Sequence, residues 1–242
     1  MIERRQSHVL VADVLRRRIA LGGFVSGERL PAERELAETL GIGRVTLRRA
    51  IQMLAEEGLV YTTRGRSGGT FVSGRSPVPA AQRRRIAATQ RARLDQSMEF
   101  RLAVEPVAAG LCAQRATRSE RRGLERLLTA EAGSLESYHR LDSKFHLAVA
   151  AGSHNDVLAD AIARVRADFF LTANALWVNV DWARTRGHDE LAGRLFRDDH
   201  APIADAIAGG DADAARERMT QHLMATGEQF RTLLDSLARR EP

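Results

Sequence analysis

The sequence predicts a mainly α-helical chain in two parts: three helices closed by a small β-hairpin, then an all-helical bundle. Three observations predict it. Residues 8–58 carry apolar positions at helical spacing, punctuated by glycines. Residues 59–73, LVYTTRGRSGGTFVS, hold two short β-prone runs around a Gly/Arg loop. Beyond about residue 91, helical patterns dominate and no convincing strand alternation follows.

The elements follow in order. In residues 8–20, HVLVADVLRRRIA, the apolar positions Val9, Val11 or Ala12, Leu15 and Ile19 mark one helix face, and Gly22 and Gly23 end it. Pro31 fits the first turn of a second helix, AERELAETL, which Gly41 closes. After the turn Gly41-Ile42-Gly43, a third helix runs through RVTLRRAIQMLAEEG, with Leu47, Ile51 and Leu54 on one face, and stops at Gly58. The runs LVYTT and TFV form a hairpin. Helix, helix, turn, helix, hairpin is the order of a winged helix-turn-helix, assigned to residues 1–74. Residues 75–90, with two prolines, small residues and an arginine run, read as a linker. The arginine run can serve as a solvated linker face or touch an anionic partner. An all-helical domain over 91–238 follows, with helices at 91–115, 118–130, 134–151, 155–176, 188–209 and 211–238. Pro106 falls inside the first of these and is expected to kink it.

Composition narrows the function classes. The chain has 242 residues, enough for two ordinary domains, and its 44% hydrophobic content supports real cores. Its net charge is +6, and Lys144 is its only lysine. The guanidinium fork suits phosphates and guanine edges, although an arginine bias can equally reflect genomic composition. Cys112 is the only cysteine, so no internal disulfide can form. No apolar run reaches the roughly 18 residues of a spanning helix, and MIERRQSHVL lacks a signal-peptide apolar region. A soluble cytoplasmic protein with no membrane partner is expected.

Residues 41–51, GIGRVTLRRAI, carry the first functional signal. On a helix, Arg44 and Arg48 are four apart and share a face turned away from Leu47, Ile51 and Leu54. Thr46 sits near the helix N-terminus, where a hydroxyl and free N–H groups can hold a phosphate. Arg34, early in the second helix, can reach a backbone phosphate. Arg49 is turned about 100° from Arg48 and serves as a phosphate contact or as exposed charge. Arg64 and Gly65 lead a loop, completed by Arg66-Ser67-Gly68-Gly69, that is narrow enough for a minor groove. Any one such arginine is ordinary surface charge. The set, in this order, points to double-stranded DNA.

The stretch LPAERELAETLGIGRVTLRRAIQMLAEEGLV, with RGRSGGTFV after it, resembles the winged-helix domain of the GntR transcriptional regulators over residues 10–73. The resemblance implies that Arg34, Arg44 and Arg48 make phosphate and base contacts. It also implies that Thr46 assists and that Arg64 with Gly65 forms the wing tip. Gly43 departs from the usual Ser or Thr before the first arginine, which removes a hydroxyl contact to phosphate. Arg49 stands where an acidic residue is common.

The helical half carries the second signal. Asp142 and His146 are four apart in YHRLDSKFHLAVA, and His200 and His222 lie near the apolar stripes of two later helices. Three imidazoles and a carboxylate suit a borderline divalent metal. Spacing alone is weak evidence, because an Asp/His pair at i,i+4 often arises by chance. His8, His139, His154 and His188 read as surface residues. This half resembles the FCD effector domain of the FadR-type branch over about 95–225. The motif residues are Glu99, Arg101 and Glu105, then Asp142, Phe145 and His146, and then the run from His200 to His222. The resemblance implies a divalent metal held by Asp142, His146, His200 and His222. Three nitrogen ligands favour zinc or nickel, with manganese or iron as alternatives. Arg101 is then expected to pair with an effector carboxylate or, within its helix, with Glu105. Asn155 is expected to line the cavity or to cap the next helix. Trp177 and Trp182 pack in the core or wall the pocket.

The function expected is that of a regulator rather than an enzyme, and of a repressor. It binds a roughly palindromic operator as a homodimer and responds to a small organic or sugar acid near the metal. Two other classes stay open on sequence: a metal-dependent hydrolase-like helical domain and an effector-independent DNA-binding protein.

Overall fold

The computed structural model describes residues 3–21, 23–24, 26–65, 68–73, 80–130, 135–177 and 188–239. The chain divides into two compact units, Met1–Ser76 and Pro77–Pro242.

The first unit contains α1 (Glu3–Ala20), α2 (Glu33–Thr39), α3 (Arg44–Glu56), β1 (Val60–Thr63) and β2 (Gly69–Val72). Its core is the set of apolar stripes the sequence displays: Ala12 and Leu15 of α1, Leu36 of α2, and Leu47, Ala50 and Leu54 of α3, closed by Val60 and Val72. The tight connection between α2 and α3 rests on Gly41, whose φ of +64° is the left-handed region that glycine tolerates. The Ile42 N–H donates to Ala37 O at 3.0 Å and fixes the turn. The strands pair antiparallel, Val60 with Val72 and Thr63 with Gly69. Tyr61 stacks on Phe71 with ring centroids 5.5 Å apart.

Pro31 lies outside α2, which begins at Glu33 with Ala32 as its N-cap. The chain before it is held extended instead. Arg29 bridges Phe71, and the Leu30 N–H donates to Thr70 O at 2.8 Å. Ala32, the first residue of AERELAETL, is therefore the N-cap, and the helix matches its sequence bounds to within one residue.

The second unit contains α4 (Ala80–Arg115), α5 (Arg118–Leu128), α6 (Leu135–Gly152), α7 (Asp156–Trp177), α8 (His188–Gly209) and α9 (Ala212–Arg239). α4 packs along α9 and also against α6 and α7. Phe145, Phe169, Phe196, Ile203, Ile207 and Leu223 are buried between the helices. Thr117 starts α5 with a capping box: its Oγ1 accepts from the Glu120 N–H, and its own N–H donates to the Glu120 carboxylate. α4 already begins at Ala80, so residues 80–90 of the stretch read as linker are helical. Alanine, glutamine and arginine dominate there and are strong helix formers. α4 also continues through Pro106, which is buried and has no N–H to donate to the helix ladder.

Candidate functional site

Four side chains from three helices of the second unit converge. α6 supplies Asp142 and His146, α8 supplies His200, and α9 supplies His222. One potential ligand atom from each lies within 4.8 Å of all the others. The His146 Nε2 is 3.1 Å from His222 Nε2 and 3.6 Å from Asp142 Oδ1, and His200 Nε2 is 3.3 Å from the same oxygen. Metal–ligand bonds of about 2.1 Å place neighbouring donor atoms about 3–4 Å apart, so these separations fit one shared ion.

Hydrogen bonds on the outer ring atoms orient the lone pairs inward. The His200 Nδ1–H donates to Phe196 O at 2.7 Å, one turn earlier on α8. That leaves His200 Nε2 facing the cluster, fully buried and without a hydrogen-bond partner. The His146 Nδ1–H donates to Glu105 Oε2 at 2.5 Å. Burial pushes His146 and His222 below the ordinary histidine range; Arg166 adds to this at His146, and the nearby carboxylates oppose it without reversing it, so both rings stay neutral. Asp142 is the opposite case. Burial, the largest single effect, would raise its carboxyl, but Arg166 together with His146 and His200 outweighs it and holds Asp142 well below the usual range. Arg166 Nη2 donates to Asp142 Oδ2 at 2.6 Å. Three imidazoles, one ionised carboxylate and an orphaned buried nitrogen fit a divalent cation.

Glu105 ties this centre together. It accepts from His146, from Arg101 Nε at 2.6 Å, and from Arg166 Nη1 at 3.3 Å. Burial would raise its carboxyl as well, and the two guanidinium groups hold it well below the usual range. Sequence reasoning offered the Arg101–Glu105 pair but missed Arg166 and the bond from His146 to Glu105. Both leave a signal. Arg166 interrupts the apolar stripe of Ile162, Phe169 and Phe170, and Glu105 shares a face with Ala108, Ala109 and Cys112. His139, read as a surface residue, is buried on the same α6 face as His146, edge-on to Phe170 at 5.6 Å. His154 is exposed, as expected, and lies 3.2 Å from Glu120. His8 is half-buried, and the His188 side chain lies outside the described residues.

Arg101 is 2% exposed and engaged by Glu105, by Met98 Sδ and by the Phe169 ring. Asn155 is exposed, and its Oδ1 accepts from the Leu158 N–H at 3.1 Å, capping α7. Neither side chain is among the four converging ones. The opening beside them is a cleft of about 190 Å³ with His222 in its wall, lined also by Asp198, Asp199, Arg218 and Gln221. A larger groove of about 570 Å³ between α4 and α9 is lined mainly by apolar side chains and includes none of the four. Trp182 and the Trp177 side chain lie outside the described residues.

In the first unit, Arg34, Arg44, Arg48, Arg49, Arg64 and Gly65 are exposed, and Thr46 is half-buried. Arg48 Nε donates to Glu33 Oε2 at 2.8 Å, and Arg34 Nη1 to Glu38 Oε1 at 3.0 Å. Gly43 is the N-cap of α3 and provides no side-chain cap. Gly65 has φ +109°, which gives the wing tip its turn. Arg66 and Ser67 lie outside the described residues.

A basic winged helix followed by a helical domain with a buried polar centre is the architecture of a DNA-binding transcriptional regulator. Residues 9–72 match the family described as bacterial regulatory proteins, gntR family, and residues 96–225 match the FCD domain. The chain belongs to the GntR family of regulators and carries an FCD domain. It is 34% identical over 224 residues to a protein of Escherichia coli strain K12 named as a candidate regulator of the L-lactate dehydrogenase operon; the match covers 88% of this chain and 82% of that one. It is 33% identical over 209 residues to the Uxu operon transcriptional regulator of the same strain, covering 81% and 76%. Among solved structures, Escherichia coli McbR/YncC shares the fold at a TM-score of 0.54 and 19% identity, covering 95% and 98%. Among the described residues, no helix is long and apolar enough to cross a membrane.

Proposed function

We propose that this regulator represses by binding a roughly palindromic operator as a homodimer, and that a small organic or sugar acid bound beside a divalent metal ion releases it. The observation that carries the sensory half is the His200 Nε2: buried, making no hydrogen bond, and turned toward two imidazoles and the Asp142 carboxylate 3.3 Å away. Asp142, His146, His200 and His222 hold the ion, with zinc or nickel favoured by three nitrogen donors over manganese or iron. When bound, the ion supplies a positive centre with open positions for an anionic ligand. Glu105 and Phe196 fix the ring orientations of His146 and His200, and Arg166 keeps Asp142 ionised. Arg101 braces Glu105 from the other side. The cleft beside His222 gives the effector its way in, with Arg218 and Gln221 as polar partners for its distal groups. One relative is named as a candidate regulator of an L-lactate dehydrogenase operon, and lactate, a small carboxylate, is of the ligand class proposed.

On the DNA side, Arg44 and Arg48 face base edges and phosphates in the major groove. Arg34, Thr46 and Arg49 contact phosphates, and Arg64 with Gly65 enters the minor groove. The effector would favour one arrangement of the dimer, so that the two recognition helices no longer fit successive half-sites. The metal reading is tested by elemental analysis of zinc-loaded protein. About one ion per chain is expected, and Asp142, His146, His200 and His222 changed together to alanine should abolish it. Equal metal content in the two proteins overturns this reading.

A further inference from the structure

α3 exposes one large apolar side chain. Val45, its second residue, is 67% exposed. The other exposed positions of the first two turns are Arg44, Arg48 and Arg49. The helix has no core use for Val45, because Leu47, Ala50, Ile51 and Leu54 fill that side. Valine is also a poorer helix former than alanine, so local stability does not explain it. Val45 lies one turn before Arg48 and on the same side, at i,i+3. Arg48 is held at Nε by Glu33, which leaves its two Nη groups for an acceptor pair such as guanine O6 and N7. An apolar side chain beside a fixed guanidinium, in the N-terminal turn of a recognition helix, is the arrangement that meets a thymine methyl in the major groove.

We infer that Val45 is a specificity-determining residue that packs on the 5-methyl group of a thymine in each operator half-site, next to the base contacted by Arg48. The inference rests on α3 being the recognition helix. One buried methyl corresponds to about fourfold in affinity, so the contact tunes sequence preference without dominating affinity.

The test starts from duplexes enriched by the full-length chain from a randomised pool. Each thymine is then replaced singly by deoxyuridine, which lacks only the methyl group. Wild-type affinity should fall about fourfold at one thymine per half-site. Val45→Ala should bind the thymine duplex more weakly and lose nothing further with deoxyuridine there. Val45→Thr, which keeps a methyl, should retain the discrimination. Melting temperatures that do not fall by more than about a degree or two for either variant, expected for an exposed position, separate recognition from folding. If wild type shows no deoxyuridine penalty at any thymine, or Val45→Ala keeps the full penalty, the assignment is overturned. If Arg44→Ala and Arg48→Ala bind the enriched duplex like wild type, the recognition-helix reading fails with it.

Discussion

Asp142 and Arg166 show how much a single buried pair decides. Arg166 is fully buried, and it satisfies both Asp142 and Glu105. Replacing it with methionine keeps the volume but leaves two buried carboxylates short of a partner. The expected loss is about 3–5 kcal/mol of stability, read from urea unfolding. The same network sets a pH dependence for the metal-free chain. His146 and His222 have folded values below their unfolded ones, near about 6.5. The unfolded chain therefore takes up protons that the folded chain refuses. Stability is complete above about pH 6.5 and falls as pH drops below it. Asp142 and Glu105, also depressed, add a second loss below about pH 4. A urea midpoint that does not move between about pH 7 and about pH 5 would contradict this. In the first unit, Arg44→Ala and Arg48→Ala should each cost on the order of 1–3 kcal/mol of specific binding, while Arg49→Ala weakens all sequences slightly. Equal losses at the three positions in a mobility-shift titration would refute the assignment of faces. At this scale the sequence showed the four clustered donors, because Asp142 and His146 share a helix face and the FCD resemblance brings in His200 and His222. Arg166 was hidden because a lone arginine in an apolar stripe looks like a snorkelling surface residue until its carboxylate partners, distant in sequence, are located.

Elements were legible where periodicity and punctuation agree. α3, both strands, and α5 to α9 fall within one or two residues of their sequence bounds, since Gly41, Gly58 and the Thr117 capping box mark the ends. The misses have physical causes. Pro31 stays outside the first turn of α2 because Arg29 and Leu30 pair with β2. α4 starts early because Ala80 to Gln90 are helix formers, and the arginines and nearby prolines had suggested a linker. A prediction belongs to α3. Gly43 is its N-cap, in extended conformation, and an added Cβ there meets nothing within 4 Å. Gly43→Ser should therefore cap the helix and gain a few tenths of a kcal/mol, measured by thermal unfolding. It should also tighten DNA binding across all sequences, because the new hydroxyl reaches a phosphate rather than a base. A gain confined to one sequence would contradict that role.

At the scale of the whole molecule, a GntR-type DNA-binding unit and an FCD unit share one chain, and the proposal requires that an event in one change the affinity of the other. That coupling is reciprocal: an acid that releases DNA must bind more weakly when DNA is present. Candidate acids can be ranked by thermal shift on zinc-loaded protein, since a ligand of the folded state raises its melting temperature by linkage. The most direct measurement is operator affinity with and without the best-ranked acid. It is made on zinc-loaded wild type and on the variant with Asp142, His146, His200 and His222 all replaced by alanine. The account predicts that the acid releases DNA from wild type at least tenfold, about 1.4 kcal/mol of coupling, and leaves the folded variant bound. Equal release from both proteins would contradict it.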